Sequence, residues 1–307
     1  MTLGQPRGEE IWRGRGGAVL ASVVRNEMLR MPHYLAYYRS LGFERFLFID
    51  NGSTDGTRER LLHEPGAIVF DARGSFHDSG FGMAWLHPLL DRWCDGCWVL
   101  LADADELLVW PGGGSIGALT QRLERAEARA LFAVMVDMYS DRPFGAIGYR
   151  PGDPFERACA YFDRGPYRIH RTRRFPFHEA YGGVRARLFR RLKVEFHPPT
   201  VSKVPLVRWS RGQRFANSAH SLGIEVPIAA MRGALLHFKL FDDIVEKCRV
   251  EVERGEHFRG AREYRALGAA IAAAPGGTFF GARISVRYEG PEQLLALGLI
   301  SESAAFA

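Results

Sequence analysis

Three short apolar runs, each stopped abruptly by a polar cluster, limit what the first third of this chain can fold into. Ala18–Val24 (AVLASVV) runs into Arg25-Asn26-Glu27, and Phe46–Ile49 (FLFI) runs into Asp50-Asn51-Gly52-Ser53-Thr54-Asp55-Gly56-Thr57. Trp98–Ala102 (WVLLA) runs into Asp103-Ala104-Asp105-Glu106. Apolar runs of this length without alternation read as strands buried on both faces, and Ala67–Phe70 (AIVF) is another. Helical patterns separate them. Met31–Leu41 has Pro32 near its first turn and Gly42 after its end, the usual start and stop. Thr57–Leu62 is the next helix, and Gly82–Trp93 puts Trp85, Leu86, Leu89, Leu90 and Trp93 on one face. Strands alternating with helices at this spacing predict an α/β fold with a mixed, mostly parallel sheet flanked by helices. Ligands of such sheets bind beyond the carboxyl ends of the strands, where all three polar clusters sit. Acidic clusters gathered on one edge repel one another unless a cation or a ligand's donors compensate.

After the Gly-rich loop Pro111-Gly112-Gly113-Gly114, Ile116–Arg129 is an amphipathic helix and Leu131–Met138 (LFAVMVDM) another strand. From Tyr139 to Pro199 the pattern loosens into short strands and loops rich in Arg and aromatics. Helical character returns over Asp242–Arg254 and Phe258–Ala274. No internal repeat is visible. The expected organisation is a flexible segment over 1–17, one α/β domain over 18–240, and a C-terminal helical extension over 241–307. Within the domain, 18–110 forms the nucleotide-binding half and 111–240 the acceptor half.

The 307 residues, 47% hydrophobic and 25% charged, suffice for a sizeable core. A net charge of +6 suggests an anionic partner, but only four of the 41 basic residues are Lys, so arginine-heavy coding bias explains much of it. No helix-turn-helix or RNA-binding signature accompanies the charge, and nucleic acid is not an expected partner. Cys94 and Cys97 form C-x-x-C without a second pair or His to complete a zinc site, and they end a helix where a thioredoxin motif opens one. Reduced thiols in a cytoplasmic protein are the expected state. Met1–Gly17 has no apolar stretch of signal-peptide length, and no run of about 18 apolar residues follows.

Asp103-x-Asp105 is the sharpest chemical feature. Two carboxylates one residue apart, on a backbone leaving a strand, can face one hard cation, which can in turn bridge a diphosphate. The Asp50–Thr57 segment reads as a turn followed by a capped helix. Its Asp50 stays at the sheet edge, where a carboxylate can accept from a nucleobase N–H, while the helix N-terminus favours anions. It is not a P-loop, because no Gly-Lys-Ser/Thr follows. The span Arg164–Lys193 interleaves ten basic residues with Tyr167, Phe175, Phe177, Tyr181 and Phe189. Aromatic faces and guanidinium forks suit an acidic glycan or a phospholipid-linked acceptor, and also peripheral contact with the inner face of a membrane; a solvated surface has the same composition.

VVRNE, FIDNGSTDGT and LLADADELL, in that order and spacing, resemble the family-2 type glycosyltransferases with a GT-A fold, in the branch whose first motif is a basic residue followed by Asn-Glu. The resemblance covers residues 18 to about 110; a looser one covers Lys203–Tyr264, including PLVRW, Ser218-Ala219-His220 and LLHFK. It implies a GT-A-like fold and transfer of a hexose-type sugar from a nucleoside diphosphate, UDP first, to a glycan or lipid-linked acceptor with inversion. Arg25, Asn26, Glu27, Asp50 and Asn51 would line the nucleotide pocket, with Asp55 supporting its loop and Lys203 nearby. Asp103 and Asp105 would form the metal motif, Asp105 binding Mn2+ or Mg2+ directly and Asp103 making the ribose or second contact. His237 resembles the C-terminal His that completes such sites; the alternative is a strand-end His packed in the core.

Inverting transfer needs a general base near the acceptor hydroxyl. The usual Glu-Asp pair is not visible at a matching position, so Asp137, Asp141, Glu179 and His220 stay open, with Asp141 favoured because it follows the first strand after the metal motif. Two rivals share parts of the pattern. A nucleotidyltransferase needs a Gly-rich, Arg/Lys-bearing loop after the first strand, which Arg25-Asn26-Glu27 is not; a sugar-nucleotide-binding protein without turnover would be separated only by assay.

Overall fold

In the computed structural model, which describes residues 2–3, 17–171, 178–191, 200–216 and 218–303, one nine-stranded sheet carries the fold. Its first half is β1 (Thr2–Leu3), β2 (Val19–Val24), α1 (Met31–Ser40), β3 (Arg45–Asp50), α2 (Thr57–Leu62), β4 (Ala67–Arg73), α3 (Met83–Trp93), β5 (Trp98–Leu101) and β6 (Glu106–Val109). The chain continues through α4 (Ile116–Arg125), β7 (Ala130–Asp137), α5 (Phe155–Ala158), β8 (Tyr161–Asp163), β9 (Tyr167–Arg171), β10 (His178–Gly182) and α6 (Gly183–Arg191). It ends with β11 (Ser202–Arg208), β12 (Ile228–His237), α7 (Ile244–Arg254), α8 (Phe258–Ala272), β13 (Ser285–Arg287) and α9 (Pro291–Ala296).

The strand order is β1-β4-β3-β2-β5-β11-β7-β12-β6. β4, β3, β2 and β5 are parallel; β11 runs antiparallel to both β5 and β7, and β12 parallels β7. Six strands thus point one way, while β1, β6 and β11 oppose them. This is the mixed, mostly parallel α/β sheet the alternation predicts. The register brings Val24 level with Asp50 and Asp50 level with Asp71, so the polar clusters leave the sheet at one edge. Every residue of β3, β5 and β7 is buried, so the sheet is covered on both faces along these strands.

Several boundaries differ from the sequence pattern. The fourth helix stops at Arg125 where the apolar stripe suggested Arg129: Glu127 takes a left-handed φ of 53°, and Arg129 N–H donates instead to Pro227 O at 2.7 Å. The last long helix is regular only beyond Ala261, since Arg259, Gly260 and Ala261 all have positive φ. β6 is a strand that the sequence merges with the acidic cluster before it. Of the Arg- and aromatic-rich span, residues 172–177 and 192–199 lie outside the described residues, as do 1 and 4–16 of the N-terminal segment. Arg185 and Arg187 in that span do not form a solvated surface; they pair with the buried Asp137 and Asp163. Among the described residues, no helix is long and apolar enough to cross a membrane.

α1 fixes the acidic turn between β5 and β6. Its Tyr34, Tyr37 and Tyr38 hydroxyls donate to the carbonyls of Ala102, Leu108 and Glu106 at 2.9, 2.6 and 2.8 Å. Tyr38 also accepts from Leu108 N at 3.2 Å. Three tyrosines on one helix therefore satisfy the backbone on both sides of Asp103-Ala104-Asp105. Buried backbone groups left unpaired cost about 1–3 kcal/mol. Tyr38→Phe should lower unfolding free energy by roughly that amount in urea titrations; an unchanged midpoint would show that the turn holds itself.

Candidate functional site

Two loops at the carboxyl edge are zipped together. Asn26, at φ 53°, accepts Thr54 N–H on its Oδ1 at 2.8 Å, while its own N–H donates to Ser53 Oγ at 3.0 Å. Glu27 N–H donates to Thr57 Oγ1 at 2.8 Å and Met28 N–H to Asp55 Oδ2 at 2.9 Å. Arg25 Nη1 donates to Asn51 O at 2.7 Å, and Asn51 Nδ2 donates to the carbonyls of Ala72 and Gly74, both at 3.2 Å. Asn26, Asn51 and Asp55 thus hold backbone. Asp50 is different. Its Oδ1 accepts the Gly52 and Ser53 N–H groups at 3.1 and 3.0 Å, but its Oδ2, on a residue only 2% exposed, has no hydrogen-bond partner. A buried carboxylate oxygen without a donor is costly, so this atom is an opening for one.

Downstream chain segments bring cations to the acidic edge. Glu27 lies 3.2 Å from Arg30 Nη1 and 2.8 Å from Lys247 Nζ. Arg30 is fully buried and forms a bidentate pair with Asp243 at 2.7 and 2.9 Å. Burial opposes the charge of Arg30, but Glu27 and Asp243 more than offset it and raise its pKa. Lys203, on β11, stands 2.7 Å from Asp103 Oδ2 and 2.6 Å from Glu106 Oε1. The insertion of β11 beside β5 thus places one buried ammonium between two carboxylates.

Asp105, Glu106 and His237 have ligand atoms all within 4.8 Å of one another, and all three are buried. Glu106 takes the place in this group that the sequence motif assigned to Asp103, whose carboxylate is turned to Lys203. Parallel pairing sets His237 beside Asp137, and antiparallel pairing sets it beside Glu106. His237 Nδ1 is 2.6 Å from Asp137 Oδ1 and its Nε2 is 3.5 Å from Asp105 Oδ2. The imidazole is therefore gripped from behind and presented to Asp105. Asp137 is itself held by Arg185 Nε at 2.7 Å. Burial works against charge on His237, yet Asp105 and Asp137 raise its pKa to about 9. Burial likewise opposes ionisation of Asp105, but His237 holds that carboxyl well below the usual range. Burial pushes Glu106 up despite Lys203.

The open base candidates separate. Both oxygens of Asp137 are engaged, by His237 and Arg185. His220 Nδ1 donates to Ser202 O at 2.7 Å, and burial, with Lys203 beside it, pushes its pKa down to about 4, which makes it a poor proton acceptor. Glu179 lies in the β9–β10 hairpin, accepting from Tyr181 Oη at 3.1 Å and facing His170 at 3.6 Å. Asp141 is exposed on the loop after β7 and lines an open cavity. None of Asp141, Glu179 and His220 belongs to the Asp105 group among the described residues.

The apolar run LFAVMVD ends in a carboxylate as the earlier strands do, and that shared pattern is the signal for Asp137. Lys247 and Arg185 carry no local signal, since their partners are 220 and 48 residues away, and Arg30, though three residues from Glu27, meets its bidentate partner 213 residues away.

No known family matches the chain, and no curated protein matches it by sequence. Among solved structures, one from Bacillus anthracis assigned as a glucose-1-phosphate thymidylyltransferase, in complex with a sucrose, is similar at 8% identity, over 95% of this chain and 97% of that one, with a TM-score of 0.30. A likeness at that level carries no functional argument.

The sign of the pH dependence follows from His237. Its folded pKa, about 9 against about 6.5 for a free imidazole, means the native state holds a proton that the unfolded state releases between those values. That stabilisation is complete below pH 6.5 and is lost as pH rises through 9, on the order of 1–3 kcal/mol. Metal-free protein should therefore lose urea stability from pH 6.5 to 9, and His237→Gln should flatten that slope. A wild-type slope that persists in the variant would assign it to another group.

Proposed function

We propose that the protein is a metal-dependent glycosyltransferase that moves a hexose-type sugar from a nucleoside diphosphate, UDP first, to a glycan or lipid-linked acceptor with inversion. The observation that carries this reading is the Asp105–His237 pair oriented by Asp137, at the same sheet edge as the unpartnered Asp50 Oδ2.

The residues fit a divalent cation. A carboxylate oxygen and an imidazole nitrogen suit Mn2+, and the carboxylate suits Mg2+. A ligating His that donates its other ring N–H to a carboxylate is the usual supporting arrangement, which Asp137 supplies. Asp103 and Glu106 are less available because Lys203 lies against both. Held there, the ion would stabilise charge developing on the leaving diphosphate. His237 must lose its proton to ligate, so metal affinity should rise with pH toward 9. At the other end of the donor, Asp50 Oδ2 would accept from the base N–H, and the zipped Asn26 and Asp55 loops would hold that carboxylate in place.

Turnover of UDP-sugars with Mn2+, followed by UDP release, tests the reading. Asp105→Asn should reduce release to background with the fold intact, because an amide is not an anionic ligand. Asp137→Asn should weaken Mn2+ binding by about 10–100-fold. Asp50→Ala should weaken UDP binding and raise KM while sparing kcat. Full activity of the Asp105 variant would remove the metal role. Pyrophosphate release from a nucleoside triphosphate and a sugar 1-phosphate, without UDP-sugar turnover, would establish a nucleotidyltransferase instead.

A further inference from the structure

A cavity of about 420 Å3 opens just past the end of β7 and takes no part in the metal and nucleotide arrangement described above. Its volume falls within the ~300–1,000 Å3 range of small-molecule clefts. The wall is built against the segment that follows His237. Asp242 accepts the N–H groups of Ile147, Gly148 and Tyr149 at 2.6, 2.8 and 3.1 Å, fixing the 147–149 turn. Its neighbour Asp243 grips Arg30 behind Glu27. On the other side, Tyr139 and Tyr161 are bridged backbone to backbone, and Met138 N–H donates to His237 O at 2.9 Å. The cavity is therefore tied to the same strand ends that carry Asp137 and His237.

Its lining has an uncommon chemistry. The side chains of Asp141, Asp153 and Arg157 are exposed and have no hydrogen-bond or ion-pair partner among the described residues. Arg287 lies against the Tyr161 ring with its guanidinium carbon 5.9 Å from the centroid, and Arg142 Nη1 donates to Ile147 O at 3.2 Å. Tyr149, buried, gives its hydroxyl to Asp153 O at 3.0 Å. Carboxylates only accept and guanidiniums only donate, and groups of both kinds stand free around one mainly polar cavity. A free phosphate would meet the guanidiniums of Arg142, Arg157 and Arg287 but would leave the carboxylates of Asp141 and Asp153 without donors, and a lipid chain would strip water from all of these charges. Vicinal hydroxyls, which both donate and accept, satisfy the two kinds of group at once.

We propose that this cavity is a saccharide subsite that holds the acceptor sugar beside the donor. The proposal rests on the glycosyltransferase reading for the word acceptor, but saccharide binding itself does not depend on it. Asp141 then contacts the sugar's hydroxyls, and Arg157 and Asp153 fix the ring's orientation.

Ligand-observed NMR on the full chain, with glucose, galactose, N-acetylglucosamine and maltose as probes and inorganic phosphate as control, tests this with and without UDP. At least one sugar should give a saturable signal, phosphate should not displace it, and the double variant Asp153→Asn/Arg157→Gln should weaken it at least tenfold. Melting curves of the variant, whose two changes are exposed, report folding. No signal from any sugar, displacement by phosphate, or unchanged binding in a folded double variant would overturn the proposal. UDP affinity is read in the same samples: if UDP fails to bind while a sugar does, the donor reading falls and the saccharide subsite stands.

Discussion

Carboxylates gathered at the ends of parallel strands repel one another, and the rest of this structure is arranged around that repulsion. Glu27, Asp103, Asp105, Glu106 and Asp137 all come to one edge. The chain answers with Arg30, Lys247, Lys203, His237 and Arg185, each within ion-pair distance of at least one of them. Such groups are tolerated inside a protein only when paired and hydrogen-bonded, and removing one partner strands the other. The compensation is uneven. Lys203 serves two carboxylates, whereas Asp105 faces an imidazole, a partner that can give up its charge.

That unevenness divides labour within one acidic turn. Asp103 and Glu106 are locked to an ammonium that burial does not neutralise, since both carboxylates raise its pKa. Asp105 keeps a partner with a titratable proton. The tyrosines of α1 hold the turn's backbone, so the difference between Asp105 and its neighbours arises from side-chain partners rather than from a mobile loop.

The parallel core was legible because β2, β3, β5 and β7 are unbroken apolar runs, and strands buried on both faces advertise themselves in that way. The polar ends of β2, β3 and β5 were legible for the same reason: the transition from apolar to charged is abrupt. What could not be read locally was adjacency. β11 lies between β5 and β7 although about 100 residues separate it from β5, and Lys203 reaches Asp103 only through that insertion. β6 was hidden because its first residue, Glu106, belongs to the acidic cluster that ends β5, which leaves only a short apolar remainder. His237 was visible as a strand-end imidazole, but its meaning depends on Asp137, which the pairing of β12 with β7 supplies.

Arg30 sits fully buried at the start of α1, and the carboxylate that clasps it lies 213 residues further along the chain. On a ribosome, Glu27 is available to Arg30 from the start, but the carboxylate that takes both of its Nη groups is made only after the N-terminal half is complete. Until Asp243 emerges, Glu27 is left to pair with that guanidinium, and enclosing it costs more than it does in the finished chain. The last share of the stability of this buried charge is therefore supplied by the chain that follows the α/β core, and a chain ending before Asp243 would leave Arg30 the Glu27 ion pair alone.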